Sequence, residues 1–408
     1  MTTPKLRFKE FDGDWPSVPL KDFVSFRKGK GISKADIQED GTFQCIRYGE
    51  LYTTYGQVIT TIKSRTNISP SESILSQNGD VIIPASGETQ IDIATASCVA
   101  KENVILGGDL NILSHQESGE WLAYYLSSAK KLEIAQLAQG NSVVHLYSSQ
   151  LKELKVNKPT KAEQTKIASF LSAVDEKISQ LTKKHQLLTQ YKQGMMQKLF
   201  SQQIRFKADD GSEFAEWEVK KLGSVCQRNY QGINTVADKV EYQQHGYPIL
   251  QAKHMTSEKL DFEDVRYLSD SDYEKYKDKY IPQLNDILFS NIGTIGKVVL
   301  VDDSKSFFIA WNIFLMSIKL RVANPSYITA YLRWLTSLNY FDNLQTGNAT
   351  KFINKTDLLD TKVNLPCLEE QSKIANFLSA IDQKIEVVAQ QVEQAKQWKK
   401  GLLQQMFV

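Results

Sequence analysis

Apolar residues recur at alternating spacings of three and four along two segments of the chain. In the middle segment they are Ile167, Leu171, Val174, Ile178, Leu181 and Leu188, and in the last segment Ile374, Leu378, Ile381, Ile385, Val388 and Val392. This spacing is the heptad seam of a coiled coil and predicts two long amphipathic helices. Polar residues interrupt the seam at His185 and Lys192 in the first helix and at Lys399 in the second.

The two helical segments are copies of each other. Residues 151–200 align with 358–407 at a constant offset of 207, and 22 of the 50 positions are identical. Agreement is densest between 163–178 and 370–385, where only four of sixteen positions differ. A period near 200 residues is too long for a solenoid, whose repeats span roughly 20–50 residues. The repeat therefore indicates one globular unit plus one connecting helix, present twice.

A capping box predicts where the first helix starts. Thr160 and Glu163 have the required spacing directly after Pro159, whereas Cys367 takes the cap position in the second copy. A helix over 161–199 would be about 58 Å long and needs a partner surface to bury its seam. We expect the other copy to be that partner in an antiparallel coiled coil, and a dimer between two chains is the alternative.

The globular parts are related more weakly than the helices. The segments 79–83 and 285–289 both read as a turn into a buried strand, and 121–137 and 327–344 read as amphipathic helices followed by Gly-Asn loops. We therefore predict an α+β fold with a pseudo-two-fold repeat. It comprises two globular α/β domains (1–157 and 203–364), a central helix (158–202) and a C-terminal helix (365–408).

Charge is distributed unevenly along the chain. Residues 1–150 hold 14 Lys/Arg against 17 Asp/Glu, and residues 208–357 hold 17 against 20, whereas residues 151–207 hold 12 against 4. The basic segment favours a polyanionic partner, although a solvated helix face is the simpler interpretation. The four scattered cysteines suggest neither a disulfide framework nor a zinc site. Because no segment resembles a signal peptide or a membrane span, a cytoplasmic location is expected.

Four short segments resemble catalytic motifs only in part. Residues 324–327 (Asn-Pro-Ser-Tyr) lack the second proline of the amino-methyltransferase motif, and Pro325 suits a helix start. Residues 293–297 are two residues short of a P-loop and read as a turn between strands. The Asp-x-Lys spacings at 175–177 and 382–384 fall on the helices without an upstream Pro-Asp. The sequence therefore predicts a chain that binds and positions, and does not catalyse.

Three features of the sequence belong together: the helix pattern Glu-Gln-x-Lys-Ile-Ala-x-Phe-Leu-Ser-Ala-x-Asp-x-Lys-Ile, the Trp-x-x-x-x-Leu entries at Trp15 and Trp217, and the Ser-Asn-Ile-Gly-Thr-Ile-Gly-Lys segment at 290–297. With these features the chain resembles the specificity subunit of type I restriction–modification systems. The resemblance covers essentially the whole chain. It implies that each globular part is a target recognition domain that reads one half of a bipartite DNA site. It also implies that the paired helices set the spacer and dock two modification subunits.

The same resemblance places the chemistry on partner subunits. Modification subunits would carry S-adenosylmethionine and methylate adenine, and restriction subunits would add ATP- and Mg-dependent translocation and cleavage. We expect no cofactor and no metal in this chain. Helices of the length given above could hold two domains about 34–36 Å apart, the separation of half-sites in successive grooves.

Candidate DNA-binding residues are the basic, amide, hydroxyl and aromatic side chains that suit base edges and phosphates. In the first domain they are Lys28, Lys30, Arg47, Tyr48, Tyr52, Gln90, Asn141, Ser142 and His145. In the second they are Arg228, Tyr230, Gln231, Asn234, Lys253, His254, Asn291, Thr294, Lys297, Asn348, Thr350 and Lys351. Two other functions stay open: an assembly scaffold whose domains bind proteins or glycans, and a single-chain restriction enzyme with fused catalysis.

Overall fold

The computed structural model describes residues 3–140, 143–256, 258–302, 305–347 and 351–407. Contacts within the chain define two units. Unit 1 comprises Met1–Lys183 and Ala389–Val408, and unit 2 comprises Lys184–Val388. Each unit therefore contains one globular part and a portion of each long helix.

The strands of unit 1 are β1 (Ser17–Pro19), β2 (Ser25–Lys28), β3 (Phe43–Ile46), β4 (Val58–Ile59), β5 (Ser64–Thr66), β6 (Asp80–Pro84), β7 (Ser86–Gly87), β8 (Ser97–Val99), β9 (Ile105–Leu106), β10 (Leu110–Ser114), β11 (Val144–His145) and β12 (Lys155–Asn157). Those of unit 2 are β13 (Glu218–Lys221), β14 (Cys226–Gln231), β15 (Tyr247–Leu250), β16 (Arg266–Leu268), β17 (Ile287–Ser290), β18 (Val298–Leu300), β19 (Phe308–Ile309), β20 (Ile313–Ile318) and β21 (Lys362–Leu365).

The α-helices are α1 (Glu50–Thr53), α2 (Gln90–Ile93), α3 (Gly119–Ser128), α4 (Lys131–Leu137), α5 (Ser148–Lys152), α6 (Lys161–Phe200), α7 (Leu222–Val225), α8 (Asp270–Tyr280), α9 (Pro325–Ser337), α10 (Lys355–Leu359) and α11 (Leu368–Met406). Short 3-10 helices lie at Leu20–Asp22, Lys34–Asp36, Pro70–Glu72, Ala252–His254 and Tyr340–Leu344. The mixture of strands and helices in both globular parts confirms the predicted α+β class.

Unit 1 is built on a five-stranded sheet with the order β2-β10-β6-β8-β4. A second sheet, β5-β3-β9, contains a parallel pair between β3 and β9. The helix α3 packs on β6 and β8, and its Trp121 lies in the same buried cluster as Ile83 of the sheet. Leu171 of α6 and Leu402 of α11 belong to that cluster. Both long helices are therefore part of the core of unit 1.

Unit 2 repeats this plan with the order β14-β20-β17-β18 in its main sheet. Its second sheet, β16-β15-β19, again contains one parallel pair, between β15 and β19. Phe289 and Phe314 of the main sheet share a buried cluster with Phe200 of α6 and Leu378 of α11. The helix α8 distinguishes the two units, because the corresponding segment between β5 and β6 holds only the 3-10 helix Pro70–Glu72.

The two predicted buried strands are confirmed as β6 and β17, which occupy the same place in the two main sheets. Each follows a residue with positive φ, Gly79 at 90° and Asn285 at 68°, as a tight turn requires. A Cβ added to Gly119, the first residue of α3, would lie 2.2 Å from the carbonyl oxygen of Gly79. Glycine is therefore needed where α3 approaches this turn.

The amphipathic helices predicted at 121–137 and 327–344 are each broken in two. In unit 1 Lys130 leaves the helical conformation between α3 and α4, with φ −104° and ψ 0°. In unit 2 Asn339 takes the left-handed conformation after α9, at φ 55°, and a 3-10 helix follows. A left-handed residue ends a helix, and asparagine is one of the few residues that adopt this conformation readily. The apolar spacing continues across both breaks and hides them.

Both predicted long helices are present, with 40 residues in α6 and 39 in α11. The hydroxyl of Thr160 accepts a hydrogen bond from the Glu163 N–H at 3.3 Å, as the capping box predicts. The carboxylate of Glu163 binds Arg7, so only half of the predicted box is formed. The sequence-based domain boundaries stay a prediction, because the division by contacts cuts through the middle of both helices.

Candidate nucleic-acid interface

Each globular part carries a short hairpin that follows its late helix, which is α3 in unit 1 and α9 in unit 2. The backbones of Gln139 and His145 exchange two hydrogen bonds at 2.9 and 2.7 Å, and those of Thr346 and Phe352 do so at 2.9 and 3.0 Å. The two pairs are separated by the same offset of 207 as the helices, so the hairpin belongs to the repeat. Four of the predicted DNA-binding residues, Asn141, Ser142, Asn348 and Thr350, lie outside the described residues.

In unit 1 the hairpin gathers several of the predicted contacts. Its strand β11 pairs with β7, and the Gln90 amide donates to the carbonyl of Ala138 at 3.4 Å. On the neighbouring sheet Asn111 donates to the carbonyl of Leu146 at 3.0 Å, and Asn111 is the strand partner of Lys28. Lys28, Gln90 and the hairpin therefore lie along one edge of the unit. The side chains of Lys28, Lys30, Gln90 and His145 are exposed.

Tyr52 of unit 1 has two carboxylates near its phenol. Burial raises the pKa of the Tyr52 phenol, and the neighbouring Tyr48, Glu88 and Asp92 raise it further. A phenol that stays protonated can donate a hydrogen bond to a phosphate or a base. The two acidic side chains, however, lower the local positive potential.

Arg47 is half-buried and is committed to the fold. Its guanidinium lies 3.8 Å from the Glu50 carboxylate, and its backbone N–H donates to the same residue at 2.7 Å. Glu50 is buried. Arg47 can therefore reach a DNA partner only by leaving this carboxylate.

In unit 2 the hairpin contacts the loop between β17 and β18. Phe352 forms an isolated bridge with Ile292, and the N–H of Gly293 donates to the carbonyl of Lys351 at 3.0 Å. The loop is a turn between strands, as predicted. Lys351 and Thr294 are exposed, and Lys297 is half-buried at the far side of the loop. The structure therefore brings Thr294 and Lys351 together at the position that β7 and β11 occupy in unit 1.

Two candidates of unit 2 form an amide pair. Gln231 and Asn291 donate to each other at 2.8 and 3.0 Å, and Asn291 also donates to the carbonyl of Ile353 at 3.3 Å. Asn291 is buried and ties the hairpin to the sheet. Gln231 is half-buried and also donates to the carbonyl of Trp311. Of the two, only Gln231 has a surface that a ligand can reach.

Arg228 forms an ion pair with a buried aspartate, and an equivalent pair is present in the other unit. Its guanidinium donates to Asp286 and to Ser317, each at 2.7 Å. In unit 1 Arg27 contacts Asp80 in the same way, at 2.5 Å. The acidic partner is buried in each case. The repetition indicates a structural role for both arginines, of which the sequence analysis named only Arg228.

The remaining candidates of unit 2 differ in exposure. Asn234 and Lys253 are exposed. His254 is buried, its Nδ1 accepts from the Gln251 N–H at 2.9 Å, and burial lowers its pKa. Tyr230 is half-buried, and burial raises its pKa to about 12. His254 and Tyr230 are thus packing residues, and Asn234 and Lys253 are accessible.

The helix seam is buried towards the helix ends and half-buried towards the middle. Of the predicted pairing residues, Ile167, Leu171, Val174, Ile374, Leu378, Ile381 and Val388 are buried, and Ile178, Leu181, Leu188, Ile385 and Val392 are half-buried. Near the end of α6 it is Met196 that is buried, one residue beyond the Met195 that the heptad spacing favours.

An ion pair joins the two long helices in each unit. In unit 1 Lys399 of α11 lies 2.5 Å from Asp175 of α6. In unit 2 Lys192 of α6 lies 2.5 Å from Asp382 of α11. The two lysines occupy equivalent positions of the repeat, and so do the two aspartates. The partner in α11 moves from 399 back to 382 as the residue in α6 advances from 175 to 192, which is the order of the expected antiparallel pairing within one chain.

A repeated glutamate near the start of each long helix binds the entry segment of its unit, the stretch that precedes β1 in unit 1 and β13 in unit 2. Arg7 forms a bidentate pair with Glu163 at 2.7 and 2.8 Å, and Arg205 forms one with Glu370 at 3.1 and 2.8 Å. Both carboxylates are buried. Trp217 also donates to Glu370 at 3.0 Å. These contacts explain why the glutamate is kept in both copies.

The neighbouring glutamine caps the late helix of each unit. Gln164 accepts from the N–H of Ser118, the N-cap of α3, at 3.0 Å. Gln371 accepts from the N–H of Asn324, the N-cap of α9, at 2.7 Å. Each amide also donates to a proline carbonyl of the preceding turn, at 3.0 and 2.8 Å. The Glu-Gln pair is therefore a structural joint between helix and globular part.

Comparison with protein families agrees with this architecture. The model of the type I restriction modification DNA specificity domain matches residues 12–190 and 215–397, one globular part with its helix in each case. The chain belongs to this family. It is a type I specificity subunit with two DNA specificity domains.

Individual relatives span nearly the whole subunit. The MjaVIII specificity subunit of Methanocaldococcus jannaschii is 25% identical over 97% of this chain and 94% of its own length. A putative MjaX specificity subunit of the same organism is 30% identical over 69% of this chain and 66% of its own length. The crystal structure of the type I S subunit from M. genitalium has a TM-score of 0.64 at 16% identity and covers 100% of this chain and 99% of that chain. It supports the fold.

Three of the four cysteines of the specificity subunit are buried. Burial raises the pKa of Cys45 to about 11 and those of Cys98 and Cys226 to about 12, so these thiols stay protonated. Cys367 is exposed. Within the described ranges, histidine, cysteine and acidic residues form no group able to hold a metal ion. In the same part of the chain, no helix is long and apolar enough to cross a membrane.

Proposed function

We propose that this specificity subunit reads a bipartite, asymmetric DNA site, with one half-site bound by each globular part. The main support is the repeated hairpin, which sits on the same framework in both units but carries different side chains. In unit 1 it brings His145 near Lys28 and Gln90, and in unit 2 it brings Lys351 near Thr294. Basic and amide side chains of this kind suit phosphates and base edges.

The paired helices have a separate task in this proposal. They set the spacer between the two half-sites and dock two adenine methyltransferase subunits, through which restriction subunits join. S-adenosylmethionine, ATP and Mg then reside on those partners, and this chain binds and positions without catalysing. One solved relative, with a TM-score of 0.56 and 16% identity, comes from a study of complex assembly in a type I R-M system.

Exchange of one recognition domain tests the proposal. Residues 208–357 are replaced by the corresponding segment of another specificity subunit, and adenine methylation is mapped by sequencing in cells that express the partner subunits. We expect one half of the methylated site to change and the other half and the spacer to persist. A change in both halves, or in neither, would contradict the assignment.

Two further measurements separate this function from its alternatives. A gel-shift of the subunit together with its methyltransferase partner should show sequence-specific retardation, and its absence would favour an assembly scaffold. A labelled-methyl assay on the isolated chain should show no transfer, and transfer would indicate fused catalysis.

A further inference from the structure

Two lysines, Lys192 buried and Lys399 half-buried, interrupt the apolar seam at equivalent positions of the repeat. The side chains of Lys192 and Lys399 are only 10% and 17% exposed. Lysine is rarely buried unless its ammonium group is paired, and an apolar residue would fill a seam position at lower desolvation cost. The presence of the same lysine in both copies, facing the same aspartate, therefore requires an explanation other than packing.

Each lysine lies on one long helix and contacts the other long helix and a loop of the globular part. In unit 2 the Lys192 ammonium lies 2.5 Å from Asp382 of α11 and 2.5 Å from Glu258, which belongs to the loop between β15 and β16. In unit 1 the Lys399 ammonium lies 2.5 Å from Asp175 of α6 and donates to Gln57, just before β4, at 3.1 Å. Each ammonium thus connects both long helices to a loop of the globular part, and each such group of contacting side chains forms a charged joint.

Neighbouring groups hold these joints in place. The Tyr124 hydroxyl of α3 donates to Asp175 at 2.6 Å, and the Lys399 ammonium lies 5.4 Å from the centre of the Tyr124 ring. In unit 2 Arg333 of α9 lies 3.8 Å from Glu258. Both joints therefore include the late helix of the globular part as well.

A charged joint favours one register of the two long helices, whereas an apolar seam alone fits several registers. The heptad pattern repeats every seven residues, so apolar contacts alone are similar in neighbouring registers. A shift of one heptad would place Lys192 opposite Ala375 and Lys399 opposite Ala168. Each ammonium would then be buried without a carboxylate, which strongly disfavours the shifted pairing.

We propose that two groups of positioning residues hold each recognition domain in one orientation on the helix pair and thereby restrict the DNA spacer to one length. The groups are Lys192 with Asp382 and Glu258, and Lys399 with Asp175 and Gln57. This rests on the proposed function. One extra base pair moves a half-site by about 3.4 Å and rotates it by about 35°, so a rigid joint is needed to reject it.

The test measures spacer discrimination in the assembled methyltransferase complex. DNA substrates carry the cognate half-sites with the cognate spacer or with one base pair more or fewer, and initial rates of adenine methylation are compared. For K192M/K399M we expect the ratio of cognate to altered-spacer rates to fall by about tenfold or more, a difference of about 1.4 kcal/mol. K192R/K399R keeps the charge and should retain most of the discrimination.

K184M/K396M, which changes exposed lysines on the same two helices, is the matched control and should keep the ratio. D175N/D382N is the second test variant and keeps the side-chain shape if the lysine variant fails to fold. An unchanged ratio in either folded test variant overturns the proposal, even if its melting temperature falls. Failure of the proposed function would appear differently, as the absence of site-specific methylation with the unaltered chain.

Discussion

At the scale of single residues, the repeated side chains have structural tasks and the accessible polar side chains differ between the copies. Glu163 and Glu370 bind arginines of the entry segments, and Gln164 and Gln371 cap the late helices. These contacts are made within each unit and do not involve the hairpins. The framework can therefore stay constant while the residues around the hairpin change.

The Arg205–Glu370 pair should be a strong contributor to stability. Glu370→Gln keeps the volume but leaves the guanidinium and the Trp217 N–H without a charged acceptor. Breaking one partner of a buried ion pair typically costs about 3 kcal/mol. Urea unfolding should show this loss in the free energy of unfolding. Glu369→Gln, at an exposed neighbouring position, is the control, and an equal effect there would contradict the assignment.

His115 should make unit 1 sensitive to mild acid. Burial lowers its pKa below the ordinary value of 6.5, so the unfolded chain takes up a proton at a higher pH than the folded chain. The contribution to stability is therefore present above pH 6.5 and is lost as the pH falls towards the lowered pKa. Melting temperatures between pH 7.5 and 5.5 should fall less steeply in His115→Gln than in the unaltered protein. An identical slope would refute this, and His245→Gln, at an exposed site, serves as the control.

At the scale of elements, the long helices combine a buried seam with exposed aromatic residues. Tyr191 and Trp398 occupy equivalent positions of the repeat, next to the seam lysines, and are 51% and 54% exposed. Exposed aromatic residues are frequent centres of protein interfaces. Their repetition fits a partner that binds in two copies, as the modification subunit does in the proposed complex.

Removing these rings should weaken the recruitment of the modification subunit. Tyr191→Ala and Trp398→Ala should each reduce affinity at one of two sites, by about 2 kcal/mol or roughly 30-fold if the ring is a central contact. Titration calorimetry with the purified modification subunit would report affinity and stoichiometry. Leu132→Ala removes an exposed apolar side chain of α4, outside the two long helices, and should leave binding unchanged. Full-strength binding by the double variant would exclude this surface.

At the scale of the whole molecule, the spacer should depend on helix length. Deleting 177–183 from α6 and the facing 391–397 from α11 removes one heptad from each, about 10.5 Å of helix. We expect a spacer shorter by about three base pairs, or loss of activity if the half-sites are then rotated out of reach. Methylation mapping decides the outcome, and an active complex with an unaltered spacer would disprove the role of the helices.

Sequence periodicity predicted the large features of this molecule because they repeat. The seam and the Gly-Asn loops are each visible twice at an offset of 207, and the strands β6 and β17 at an offset of 206. The partners of the seam lysines were not predictable, because Glu258 and Gln57 lie in loops that share no pattern. Buried candidates such as Asn291 and His254 looked like surface residues for the same reason, since polar residue type alone does not reveal a satisfied hydrogen bond in the core.

The two ion pairs between α6 and α11 are made by equivalent residues of the two repeats. The first repeat alone carries both Asp175 and Lys192, so it contains each half of the pair that joins α6 to α11. Two copies of residues 1–207 are therefore self-complementary and could associate head to tail through their helices. Such a homodimer would present two identical hairpins, and its preferred DNA would be a palindrome.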